Sequence, residues 1–288
     1  MGFNLTKLFK SEILKNDFLF YLLIILILIP TLFFPISLDL CVYITGGKTI
    51  AEGGKIYYDF VDIKPPMFFY FFSFIYRIFG DGELQLRIFD FIYQFIVLTV
   101  LYKLVIKIFE NKNLAKISIF IYSFTYSCLT YYATMQTESF NNLFILLLIW
   151  NIILNKKYQY IISGLLIGTA TSFKLTFILL LPAVLIYYIL LNKKLKVRLI
   201  KNFIFIFLGL LIPVLFSLIL ISDKLSFNYY LLTLKFTQFY ATVVPMNFTL
   251  LKIFVKDTFN FFSEHFSISF TSFALFSLFI ITLISENK

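Results

Sequence analysis

The sequence predicts an all-α polytopic membrane protein with about eight transmembrane helices and a long first outer loop carrying interfacial helices. Three observations predict it. Of 288 residues, 60% are hydrophobic and only 14% are charged, and the mean hydropathy is +0.92. A water-soluble domain cannot hide that much apolar side chain. Several uncharged runs approach the ~20 residues that cross a ~30 Å hydrocarbon layer. The charges between those runs are unequally shared, as a fixed orientation in a membrane requires.

The elements follow in chain order. A basic segment, 1–17, precedes a charge-free run over 18–38, the first expected span. This run is too long for a cleavable signal peptide, and no small-residue cleavage site follows it. Residues 37–87 then concentrate acids, lysines, glycines and prolines, and read as one outer loop. Within it, "DLCVYITGGKTIAEGG" (39–54) has an imperfect apolar side. A short interfacial helix is expected there, capped by Asp39 and ended by Gly53-Gly54.

"KIYYDFVDIKPP" (55–66) comes next. Pro65 disfavours helical geometry at Lys64, and Pro65 or Pro66 suits the first turn of a following helix. Lys64 is therefore expected on a stiff turn that aims its ammonium at an anionic headgroup. Asp59 and Asp62 either shape this loop, by bonding nearby backbone as turn acids do, or assist a divalent cation such as Mg²⁺. The run "MFFYFFSFIYRIF" (67–79) soon meets Arg77. As a helix it would cover only roughly 20 Å, so it is expected to lie in the interface.

Further spans are expected at 88–109, with Asp90 and Lys103 near its ends, and at 117–137, 139–155, 158–173, 175–192, 202–222 and 266–285. Residues 223–265 read as one or two interfacial helices. Orientation comes from charge. With the N-terminus cytoplasmic and 67–79 not spanning, the inner segments are 1–17, 103–116, 155–157, 192–201 and the tail. They hold 15 of the 25 Lys/Arg and 4 of the 15 Asp/Glu, so essentially all of the net +10 falls on one face. "NKKLKVRLIK" (192–201) is then a topology anchor beside anionic lipid, and nucleic acid is not an expected partner.

Other classes are excluded by residue counts. Two cysteines, Cys41 and Cys128, make no disulfide framework, and the single His265 rules out a multi-histidine metal centre. "GGKTI" (46–50) lacks the spacing of a phosphate-binding P-loop. "GLLIGTA" (164–170) is a small-residue face for helix packing. What remains is polar convergence. Asp39, Lys64, Glu138 and Lys174, far apart in sequence, all fall at outer ends of spans or in the outer loop. Charges beside hydrocarbon are costly and usually serve a purpose.

These residues also carry a resemblance. The Asp after the first span, the Gly-Gly close, "Y-x-D-x-x-D-x-K-P-P" (57–66), "IFGDGELQLRIFDFIYQF" (78–95), "MQTESFNNLFILL" (135–147) and "SGLLIGTATSFKLTFILLLP" (163–182) resemble the bacterial dolichyl-phosphate-mannose protein mannosyltransferase group. These are membrane glycosyltransferases of the C-type fold, related to the lipid A aminoarabinose transferases. The resemblance spans about residues 18–200. It implies a polyprenyl-phosphate-linked sugar donor, a lipid, glycan or protein acceptor, and transfer at the outer face of a bacterial-type plasma membrane.

By the same resemblance Asp39 matches the catalytic acid, and Glu138 a second acid that orients acceptor or donor. Lys64 matches the lysine on the lipid phosphate, with Arg87 and Lys174 as further phosphate candidates. No cofactor is required, with Mg²⁺ left open. Residues 1–222 read as the transmembrane catalytic module and 223–288 as an outer segment plus a final span, short beside relatives. A transporter or flippase of lipid-linked sugars, or a truncated non-catalytic remnant, are the alternative readings.

Overall fold

The computed structural model describes residues 17–129, 131–154, 156–191 and 196–243. The chain divides into two compact units, Met1–Thr233 and Leu234–Lys288. In the second, residues 234–243 are helical. The expected span at 266–285 and His265 lie outside the described residues.

The described residues are helical throughout apart from loops and one isolated bridge, Ile56 to Phe60. Helix α1 (Asp17–Leu28) tightens into a 3₁₀ turn, Ile29–Phe33, with Pro30 in its first turn. A bend of 79° then leads into α2, Leu38–Ala51. The expected first span is thus several residues shorter, and a helix follows it over Leu38–Ala51.

The cap of α2 differs from expectation. Ser37, not Asp39, accepts the Leu40 backbone N–H through Oγ at 3.2 Å, and Asp39 sits inside the first turn. A hydroxyl satisfies the orphan N–H groups, and the carboxylate beside it still faces the positive end of the helix dipole. Gly53, with φ +93°, follows α2 as expected. Helix α3, Pro66–Phe79, opens on Pro66 with Pro65 as its cap. Its 14 residues reach roughly 21 Å at 1.5 Å each, short of a crossing. It packs on α2, where Gly47 lets the Phe72 backbone approach so closely that a Cβ would sit 2.6 Å away.

Helix α4, Glu83–Phe109, begins five residues before the expected span at 88–109 and so takes in Arg87 as well as Asp90, both buried. Helix α5, Lys112–Cys128, is capped by Asn111 and stops well before residue 137. The run 117–137 therefore joins most of a helix to a loop, 129–136. Hydropathy could not separate them, because the loop carries no charge.

Helices α6 (Thr137–Leu154) and α7 (Gln159–Phe173) follow, then a 3₁₀ turn (Leu175–Leu179), α8 (Leu180–Leu191), α9 (Lys196–Ile219) and α10 (Lys224–Val243). Among the described residues, three helices are long and apolar enough to cross a membrane, namely α4, α6 and residues Ile200–Ile219 of α9. The bent α1–α2 pair makes up to four. Shorter apolar helices are α3 and the stretch Leu175–Ile189 that includes most of α8. The protein is an all-helical integral membrane protein. Its closest helix contact is α7 on α9. Gly164 and Gly168 lie against the Ile206 and Leu210 backbone, and Gly209 against that of Ile161. Any Cβ there would overlap main-chain oxygen, the contact that small residues allow in lipid.

Candidate active site

A cavity of about 400 Å³ lies where α2, the 129–136 loop, α5 and the start of α6 meet. Its lining includes Asp39, Tyr126, Tyr132, Gln136, Glu138 and Asn142. Ligand sites commonly run ~300–1,000 Å³, so this one is of a size for a small ligand. It brings together the two acids that the sequence singled out. Both are exposed to it in the sense that matters for chemistry, since neither is classed among the buried residues.

Each acid is placed by its helix start. Asp39 is held in the first turn of α2 and Glu138 in the first turn of α6. Across the lip of the cavity, Lys174 pairs with Glu138 through Nζ and Oε1. Lys174 is the extended residue that separates α7 from the following 3₁₀ turn. That kink turns its side chain toward α6.

Lys64 is not among the lining residues. Its Nζ lies 5.7 Å from the centre of the Tyr43 ring, and Tyr43 donates its hydroxyl to Gln136 Oε1 at 2.9 Å. Tyr43 therefore stands between Lys64 and the cavity. Burial pushes its phenol well above the ordinary value, and the negative charges of Asp39, Glu138 and Asp62 push the same way. The three carboxylates and the lysine thus surround one tyrosine that sequence reasoning passed over. Its one available signal was its position, four residues after Asp39 on the same helix face.

The loop acids are spent on the loop. Asp59 Oδ2 accepts the Lys55 N–H at 2.7 Å, and Asp62 Oδ1 accepts the Lys64 N–H at 2.9 Å. Tyr57, with φ +68°, donates to the Lys64 carbonyl at 2.5 Å. Lys64 is fixed by its backbone on both sides, which leaves its ammonium as the mobile end. Among the described residues no group of three or more His, Cys, Asp or Glu is arranged to hold a metal.

The structure gives Arg87 a different place from the one the sequence suggested. It is 1% exposed. Its Nε donates to Phe34 O at 3.0 Å, one terminal nitrogen to Thr134 Oγ1 at 2.9 Å, and the other to Pro35 O at 2.5 Å. Five donors in a fixed fork are suited to clamping carbonyls. Here the fork ties the bend between α1 and α2 to the cavity loop.

Comparison with known families supplies the remaining observation. The family profile described as dolichyl-phosphate-mannose-protein mannosyltransferase matches residues 63–221, more than half of the chain. The chain belongs to that family. It is accordingly a membrane glycosyltransferase of the mannosyltransferase type, a family that uses polyprenyl-phosphate sugar donors. The match takes in Lys64, Arg87, Glu138 and Lys174, and starts after Asp39. Neither the curated proteins nor the solved structures searched contain a match.

Beyond the expected residues, this mannosyltransferase-family site contains Tyr43, Tyr126, Gln136 and Asn142. Tyr126 and Asn142 lay inside runs read simply as spans. Only the packing of α5 against α4 and α6 reveals that they face polar partners.

Proposed function

We propose that the protein moves a sugar from a polyprenyl phosphate to a hydroxyl of a glycan, lipid or protein acceptor, at the outer face of a bacterial-type plasma membrane. The observation that carries this reading is the shared cavity of Asp39 and Glu138, with Lys174 paired to Glu138. The outer-face location and a cytoplasmic N-terminus are supported by the charge count, with 15 of 25 Lys/Arg in the inner segments.

In this reading Asp39 is the general base. The acceptor oxygen attacks the anomeric carbon and its proton passes to Asp39. The bond from that carbon to the phosphate oxygen breaks, and the electron pair leaves with the polyprenyl phosphate. Attack opposite the leaving group inverts the anomeric centre. Lys64 and Lys174 offset the charge that grows on the phosphate, an electrostatic contribution of the kind that often dominates such steps. Glu138 orients the acceptor and holds Lys174 until the donor arrives. The apolar tail lies against the helix faces outside the cavity. Two ammonium groups supply the positive charge, so the step is written without a metal ion.

The test is sugar transfer from a panel of polyprenyl-phosphate sugars by the purified protein, with Asp39→Asn and Lys64→Ala beside the wild type. Loss of transfer in both variants is expected, with EDTA having no effect. Equal rates in all three proteins would overturn the assignments.

A further inference from the structure

One wall of the cavity is wired to a carboxylate that the proposed mechanism does not use. Asp90 lies inside α4 and is 1% exposed. Its Oδ1 and Oδ2 accept the Tyr126 hydroxyl at 3.0 and 2.9 Å, and Oδ1 accepts Gln94 Nε2 at 3.1 Å. Tyr122 donates to Gln94 Oε1 at 2.9 Å, and Asn142 Nδ2 donates to the Tyr122 oxygen at 3.2 Å. Tyr126 and Asn142 both line the cavity. The network therefore starts at the cavity, passes through Asp90, and returns to the cavity.

With Asp90 ionised, each direction along it is forced. An ionised carboxylate only accepts, so Gln94 must turn its NH₂ toward Asp90 and its carbonyl toward Tyr122. Tyr122 has one proton and must give it to Gln94. Its oxygen can then only accept, so Asn142 must present its NH₂ to Tyr122, and the other end of that amide is a carbonyl. On the second branch, Tyr126 has spent its proton on Asp90. Its oxygen accepts the Met135 N–H at 3.4 Å and has a further lone pair. Tyr126 is thereby left as an acceptor alone, and Asn142 with a carbonyl acceptor beside its second N–H.

We propose that Asp90 is a positioning residue that makes this wall an acceptor surface, reading a hydroxyl of the transferred sugar as a hydrogen-bond donor. The inference rests on the glycosyltransferase reading above and deepens it. A carboxylate is suited to the task because it cannot reverse, whereas an amide or hydroxyl in its place could donate and leave the relay undirected. The neighbouring Arg87, one turn earlier on α4, supplies the compensating charge that a buried carboxylate needs.

The test uses polyprenyl-phosphate mannose and its monodeoxyfluoro analogues, in which one hydroxyl at a time loses its ability to donate. The wild type is expected to discriminate against at least one analogue by roughly tenfold or more in kcat/KM, the scale of an unmade bond to a buried polar group. Tyr126→Phe and Asn142→Ala should each lower that ratio toward one, and Asp90→Asn should lower it without either cavity residue being changed. A ratio compares two substrates on the same preparation, so partial misfolding does not move it. Wild-type ratios retained in all three variants, or no discrimination by the wild type, would overturn the inference while leaving the transfer reaction standing. No transfer from any lipid-linked sugar would overturn the functional reading and this inference with it.

Discussion

The Tyr43 hydroxyl donates to Gln136 Oε1 at 2.9 Å, and so joins the helix that holds Asp39 to the loop that precedes Glu138. Gln136 in turn reaches Ser37 Oγ, the cap of that same helix, at 3.4 Å. The two acids owe their common cavity to this buried link. Tyr43→Phe keeps the ring and its edge contact with Phe68, whose centre is 4.8 Å away, and removes only the bond. A buried Gln136 oxygen left unpaired costs about 1–3 kcal/mol. Denaturant unfolding in detergent should show that loss, together with weaker transfer. Unchanged stability would mean that the link does not hold the loop.

The α7–α9 contact is tested by Gly164→Ala. The new methyl group would overlap the Ile206 carbonyl oxygen, which belongs to the backbone and cannot swing aside. The helices must separate, at about 1–3 kcal/mol. Gly53→Ala is the comparison. There the space is open and only φ +93° is strained. Gly164→Ala should lower thermal stability and also disturb Lys174 at the end of α7, while Gly53→Ala should spare Lys174. Equal behaviour in activity would refute this account of the helix contact.

Alkaline pH should act through Tyr57. Burial, reinforced by Tyr230 and the negative Asp62, raises its phenol above the ordinary value of about 10. The folded state then keeps a proton that the unfolded chain releases. Stability is full below pH ~10 and falls as pH rises from there toward the folded value, by up to about 1.4 kcal/mol per pH unit for one proton. Tyr57→Phe removes that proton from both states. Its stability curve above pH ~10 should be shallower than the wild type's by that amount. Parallel curves would show that Tyr57 is not the group responsible.

Much of this site was legible in the sequence, and the failures have a common cause. Pro65-Pro66, the glycine close of α2 and the small-residue face of α7 declared themselves because each acts through its own backbone. Asp39 and Glu138 were legible as charges beside hydrocarbon. The cap at Ser37 was missed because either Ser or Asp serves there, and only geometry selects one. The bonds of Arg87 to Phe34 and Pro35 were not legible because a guanidinium reads the same whether it clamps carbonyls or phosphate. The 129–136 loop was hidden in an uncharged run, since two of its polar side chains find partners remote in sequence, Thr134 with Arg87 and Gln136 with Tyr43.

The Lys174–Glu138 pair separates a structural role from a functional one. The side chains are 32% and 56% exposed, and such pairs contribute about 0–1 kcal/mol to stability. Lys174→Ala should therefore unfold almost like the wild type. If Lys174 meets the donor phosphate, the same change removes a charge where negative charge grows, and kcat/KM should fall by about 100-fold, the scale of a lost transition-state donor. Lys174→Arg keeps the charge and should recover part of it. Raised salt should weaken the wild type more than Lys174→Ala, because screening acts on a charge that the variant no longer has. A loss of activity no larger than the loss of stability would reduce Lys174 to a partner of Glu138 and remove it from the phosphate site.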